Sequence, residues 1–139
     1  ADLPPEEGGE LYGACREHGI DPILLAAPTT TPARLELLVR ETRGFLYYVS
    51  LTGVTGARGE LALGIEEAVQ GARAFGDVPI CVGFGISTPE QAREVCRYAD
   101  GVAIGSAIVD LVEKATDVGE LVDSVGGFVR SVRSALDAT

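Results

Sequence analysis

Val78-Pro79-Ile80-Cys81-Val82 runs directly into Gly83-Phe84-Gly85-Ile86-Ser87 and then into Thr88-Pro89-Glu90-Gln91. The first five residues form a short run that is apolar on both faces, the pattern of a parallel strand covered on two sides. The glycines that follow allow a close turn. Thr88 with Gln91 three positions later makes a capping box, and Pro89 occupies the first helical turn, so a helix opens there with Ala92, Val95, Cys96 and Ala99 on its buried side. The stretch is one strand, one loop and one helix in sequence.

The same unit recurs on either side of it. Gly76 closes a helix whose stripe is Ile65, Ala68, Val69, Ala72 and Phe75, just before this strand. Gly44 precedes Phe45-Leu46-Tyr47-Tyr48-Val49, and Gly19 precedes Pro22-Ile23-Leu24-Leu25-Ala26. A fourth run, Gly101-Val102-Ala103-Ile104, follows Tyr98-Ala99-Asp100. Repeats of helix, closing glycine and strand mark an alternating architecture. Between the first two strands, Thr31 as N-cap and Pro32 in the first turn start a helix with Leu35, Leu38 and Val39 inward. A last stripe of Leu121, Val122, Val125, Phe128, Val129, Val132 and Leu136 should hold a helix through Gly126-Gly127, although each glycine costs roughly 1 kcal/mol. The opening segment predicts one more helix, with Pro4-Pro5-Glu6-Glu7 as its first turn and His18 at its end.

Alternating β and α elements imply a parallel sheet with right-handed crossovers. An eight-stranded (β/α) barrel needs about 250 residues, and the chain has 139. Residues 1–139 therefore form a single α/β unit of four parallel strands, either an open sheet complete in itself or half of a barrel.

Composition narrows the function classes. With 46% apolar residues the chain suits a globular domain, and its net charge of −10 repels phosphate backbones and anionic lipid, so neither nucleic acid nor a membrane is an expected partner. No run approaches a spanning helix, and no basic segment leads an apolar one at the start. Cys15, Cys81 and Cys96 with one histidine form neither a disulfide framework nor a zinc site; Cys15 and His18 at i, i+3 read as a packed thiol and a helix-end imidazole. No metal and no cofactor are expected, and the cytoplasm is the expected compartment. The chain does not begin with Met, as a cut piece or processed product would not.

In a parallel α/β fold the functional residues lie at the carboxyl ends of the strands. Those ends read Ala27-Pro28-Thr29-Thr30-Thr31, then Ser50 through Gly59, then Gly83 through Ser87, then Gly105-Ser106-Ala107-Ile108-Val109. Gly85, Gly105 and Ser106 offer backbone N–H groups free of a nearby Cβ, and Ser106 adds a hydroxyl at a helix start. That is a phosphate cradle, although single glycines in such places also serve simply to turn the chain. Gly53-Val54-Thr55-Gly56 suits a hinged loop able to close over a ligand, with Arg58 beside it either adding charge or standing in solvent. No strand end carries Asp, Glu, His or Lys for general acid–base work. Asp2 is the one carboxylate that could end a preceding strand, or else cap the first helix. Tyr47 and Tyr48 point to opposite faces, so one of them could line a barrel interior, although a buried structural tyrosine is the expected reading of either.

These loops resemble those of the tryptophan synthase alpha subunit family. The matching segments are Ala1-Asp2-Leu3-Pro4, Tyr47 through Gly56 with its Ser-x-x-Gly-Val-Thr-Gly, Gly83 through Gln91, and Gly105 through Val109, in family order. The resemblance implies the second half of a TIM (β/α)8 barrel, and a lyase that cleaves indole-3-glycerol phosphate to indole and glyceraldehyde 3-phosphate. It also implies a pyridoxal-phosphate beta subunit as partner in an alpha2beta2 assembly. By the same resemblance Gly56, Gly85, Gly105 and Ser106 contact the substrate phosphate, Thr55 supports loop closure, Tyr47 and Phe84 line the pocket, and Asp2, Leu3 and Pro4 face the beta subunit. The family's catalytic Glu and Asp belong to earlier strands and have no counterpart here. The competing expectations are a non-catalytic, self-associating half-barrel that binds a phosphorylated metabolite, and a phosphate-binding isomerase or epimerase, against which the Gly-Val-Thr-Gly loop argues.

Overall fold

The computed structural model describes residues 3–50, 58–83 and 85–138, the side chains of 58–63 excepted. Helix α1 (Gly9–Glu17) leads into β1 (Leu24–Ala26), α2 (Pro32–Glu41), β2 (Leu46–Val49), α3 (Arg58–Arg73), β3 (Ile80–Gly83), α4 (Pro89–Val95) and β4 (Gly101–Ala103). Two helices close the chain, α5 (Ser106–Lys114) and α6 (Val118–Asp137). The strands lie in the order β1-β2-β3-β4, and every pairing is parallel.

Register explains the core. Leu24, Leu46 and Ile80 stand in one row across the sheet, and Ala26, Tyr48, Val82 and Val102 in the next row on the same side. Nearly all of these are buried, together with Leu38, Val39, Val69, Ala72, Ala92 and Val95 from the helices. The opposite side carries Leu25, Tyr47, Cys81 and Gly101, then Val49, Gly83 and Ala103. Leu25 is 41% exposed there, whereas its neighbour Ala26 is 1% exposed. Among the described residues, the helices thus bury this one face of the sheet. The expectation of strands covered on both sides is corrected: their two-sided apolarity is real, but among the described residues the helices pack on one face, and on the other Leu25 is exposed while Tyr47, Val49 and Cys81 are half-buried.

Thr42, at the end of α2, is a polar residue in the core, at 1% exposure. Its Oγ1 accepts from the Leu24 amide at 3.0 Å and donates toward the Phe45 carbonyl at 2.7 Å, tying the start of β1 to the approach to β2. Thr42→Val preserves shape but leaves that amide unpaired, so it should cost about 1–3 kcal/mol. A urea midpoint equal to that of the unsubstituted chain would show the bond to be dispensable.

Several helix boundaries differ from expectation. Pro4-Pro5-Glu6-Glu7 is an isolated turn, with the Glu7 and Gly8 amides donating to the Pro4 carbonyl, and α1 starts only at Gly9. The Tyr12 ring folds back over Gly8, where a Cβ would lie 2.4 Å from it, and its hydroxyl donates to the Leu3 carbonyl. Thr31 is the N-cap of α2 by position but its hydroxyl caps nothing; Thr30 Oγ1 accepts from the Ala27 amide instead, closing the loop rather than the helix. Gly19 and Gly44 take positive φ, 66° and 74°, as helix-closing glycines do, whereas Gly76 does not. At Gly76 the need is space, since a Cβ would meet Val39 at 3.0 Å. The capping box at Thr88 and Gln91 forms as expected, and α6 runs unbroken through Gly126-Gly127. Asp117, unnoticed in the sequence, caps α6 by accepting from the Glu120 amide at 2.9 Å.

Asp100 anchors the opposite, amino-terminal end of the sheet. Its carboxylate accepts from the Ile80 amide at 2.8 Å and pairs with Arg73 at 3.0 Å. Burial and this negative charge push the Cys81 thiol up, and burial, Cys81 and Asp100 together push Cys96 up. Both thiols bind their protons more tightly folded than unfolded, so their stabilising contribution is complete below about pH 9 and is lost as pH climbs through the raised values. Chemical denaturation between pH 8 and 11 should therefore show falling stability, with a shallower fall in Cys96→Ala; equal slopes would refute the assignment.

Candidate functional site

The carboxyl ends of β3 and β4 lie side by side, with Gly83 in register with Ala103. Two residues beyond each stand Gly85 and Gly105. Gly85 has φ 77°, a left-handed conformation that a side chain strains, and it is exposed. Gly105 has φ −114° and ψ −72°, ordinary values, so its lack of a side chain is not a demand of the turn. A Cβ built on it meets nothing within 4 Å; the space before it is open.

Gly105 is the N-cap of α5, and its carbonyl accepts from the Ile108 and Val109 amides. The preceding helical amides, of Ser106 and Ala107, belong to the first turn and have no acceptor within the helix. They point out of the helix start with its partial positive charge. Ser106 is exposed at the same point. These groups share the strand-end surface with Gly85, and the sequence 84–88 and 104–107 contributes no carboxylate to repel an anion.

Tyr47 reaches this rim from the face opposite the helices. A Cβ on Gly83 would lie 2.6 Å from its Cζ and closer still to its hydroxyl, so the phenol end of Tyr47 sits over Gly83 at the end of β3. Gly83 is the last residue of β3 rather than part of the loop after it, and its lack of a Cβ makes room for Tyr47. Tyr48 points the other way into the core, where burial pushes its hydroxyl up from the ordinary value. Ser50, just past β2, joins the same strand ends: its amide donates to the Gly83 carbonyl at 3.0 Å and its hydroxyl does so at 3.3 Å. Neither contact was legible in the sequence, because both depend on the β2–β3 register.

The structure brings Gly85, Gly105, Ser106 and Tyr47 to one end of the sheet. Leu3 and Pro4 lie near the edge of β1, beside an apolar cleft. Asp2, Thr55, Gly56 and Phe84 lie outside the described residues, as does the Arg58 side chain. Cys15 is half-buried in α1 and His18 is exposed at its C-cap. No group of three or more His, Cys, Asp or Glu suited to a metal occurs among the described residues.

The family model described as tryptophan synthase alpha chain matches residues 1–135. The chain belongs to the tryptophan synthase alpha chain family. It is 48% identical over 135 residues to the tryptophan synthase alpha chain of Citrifermentans bemidjiense, covering 97% of this chain and 50% of that protein. Against the Geobacter sulfurreducens alpha chain it is 47% identical over 135 residues, with 97% and 51% covered. Among solved structures, the Legionella pneumophila tryptophan synthase alpha subunit superposes with a TM-score of 0.83 at 34% identity, over 100% of this chain and 51% of that one. The chain spans about half the length of the curated relatives it matches. Its four strands are half of the family's (β/α)8 barrel, and among the described residues no helix is long and apolar enough to cross a membrane.

Proposed function

We propose that the strand ends of this tryptophan synthase alpha family chain hold the phosphate of indole-3-glycerol phosphate, for cleavage to indole and glyceraldehyde 3-phosphate in tryptophan biosynthesis. The observation that carries the reading is the pairing of Gly85 with Gly105 and Ser106 at neighbouring strand ends, with unshielded amides at the start of α5 and open space before them. A doubly ionised phosphate ester gains charge-assisted hydrogen bonds from such amides without needing a basic side chain. Gly56 supplies a further contact and Thr55 the closing loop; Tyr47 and Phe84 line the pocket.

Retro-aldol cleavage removes a proton from the side-chain hydroxyl, breaks the adjacent carbon–carbon bond and returns a proton to the indole ring carbon. That requires an acid and a base. The strand ends of this chain supply neither, so the chain by itself binds without turning over. Asp2, Leu3 and Pro4 contribute to the contact with a beta subunit in an alpha2beta2 assembly, and the compartment is the cytoplasm.

Calorimetric titration tests the reading. Glycerol 3-phosphate should bind and glycerol should not, because the amides recognise the phosphate. Equal heats from the two ligands would refute it.

A further inference from the structure

Gly85, at φ 77°, stands in a short stretch of chain that is tied down on both sides of it. On one side is Gly83, whose carbonyl accepts from the Ser50 amide at 3.0 Å and from the Ser50 hydroxyl at 3.3 Å. On the other, past the buried Ile86, are Ser87 and Thr88. The Gln91 side-chain oxygen accepts from the Ser87 amide at 2.8 Å, the Thr88 amide at 3.1 Å and the Ser87 hydroxyl at 3.2 Å. The capping box of α4 uses only the Thr88 amide, so the two bonds to Ser87 are additional to it.

The two ties answer a definite need. Gly83 can carry no side chain, because a Cβ there would collide with the Tyr47 phenol and lie 3.2 Å from the Ala103 Cβ. Without a Cβ its backbone angles are the least restricted of any residue's, and ψ sets the direction of its carbonyl. The Ser50 amide continues the β2–β3 ladder onto that carbonyl; the buried Ser50 hydroxyl fills its second lone pair and holds it from another point. Gly85 has the same freedom, and glycine enters and leaves the left-handed region at little cost. We infer that Ser50 and Gln91 are positioning residues for the Gly85 amide. They fix the chain on either side of two glycines that cannot fix themselves, so that the amide is aimed at the strand-end surface it shares with Gly105 and Ser106 before a ligand arrives. Both act through the backbone, without contact to the ligand, and a donor held in place loses less entropy on binding. The inference deepens the phosphate reading and rests on it for the identity of the ligand.

Backbone order and affinity test it separately. In the ligand-free chain, NMR relaxation should give the Gly85 amide an order parameter near the rigid value of about 0.85, falling toward about 0.6 in Ser50→Ala and in Gln91→Ala, with Gly105 unchanged in both. Gln91→Glu keeps the accepting oxygen and should restore the Gly85 value. Calorimetry with glycerol 3-phosphate should show affinity about three- to tenfold weaker in each alanine variant, the range of one lost hydrogen bond. Thr42→Val, at the amino-terminal end of the sheet, should lower the urea midpoint and leave that affinity unchanged. A merely structural Ser50 or Gln91 would behave as Thr42 does. Gln91 is only half-buried, so its variants report even if Ser50→Ala fails to fold. Gly85 order equal to the parent's in the alanine variants would overturn the inference, as would loosened order with undiminished affinity. Loosened order in variants of a parent that binds no glycerol 3-phosphate supports the two ties and counts against the phosphate reading alone.

Discussion

Gly105→Asp should weaken binding of glycerol 3-phosphate roughly a thousandfold while leaving the fold intact. The physical basis is the contrast between local tolerance and electrostatic intolerance at one position. Gly105 has an ordinary negative φ, and a Cβ there meets nothing within 4 Å, so a side chain enters open space without strain. The same space is where the amides of α5 are proposed to face the phosphate. A carboxylate at about 4 Å from an anion, at the effective dielectric of a protein surface, repels it by about 4 kcal/mol per pair of unit charges, which is roughly a thousandfold in affinity. Gly105→Asn separates charge from bulk and should lose far less. The thermal midpoint of both variants should stay within about 2 °C of the parent. Undiminished binding by Gly105→Asp would place the phosphate elsewhere.

Leu46→Ala should cost about 2–5 kcal/mol, toward the upper end, and should lower the urea midpoint by about 1–2 M. Leu46 is 0% exposed and stands between Leu24 and Ile80 in the helix-facing row. Hydrogen-bonded strands on both sides prevent the backbone from collapsing into the space left behind, so cavity and transfer costs both apply. Leu25→Ala provides the contrast. On the face opposite the helices it removes a side chain already 41% exposed and should cost less than about 1 kcal/mol. Equal losses at the two positions would refute one-sided burial.

Much of the architecture was legible in local chemistry. The capping box at Thr88 and Gln91, the positive-φ glycines at 19 and 44, and the four apolar runs all act over a few residues, and each formed where it was expected. The errors share a different cause. Pro4-Pro5 looks like a helix start, but residues 4–8 close into a separate turn on the Pro4 carbonyl and the helix begins only at Gly9. Thr31 has the right type for a cap and sits at the N-cap position, yet its hydroxyl caps nothing, while Thr30 bonds the Ala27 amide as the loop after β1 turns back. Of the site, the glycines at 85 and 105 could be picked out by their place after strands. That Gly83 serves Tyr47, or that Ser50 bonds to it, could not be read from sequence, because those contacts cross from one strand to the next.

The order of residues alone determined four parallel strands, their alternation with helices and the family to which they belong, because apolar period, caps and closing glycines are short-range and survive without their surroundings. Only the tertiary structure decided which face of the sheet the helices cover. Each strand is apolar on both sides, so its composition is the same whether one face or two are buried; the choice depends on how many helices reach the sheet and where their crossovers put them.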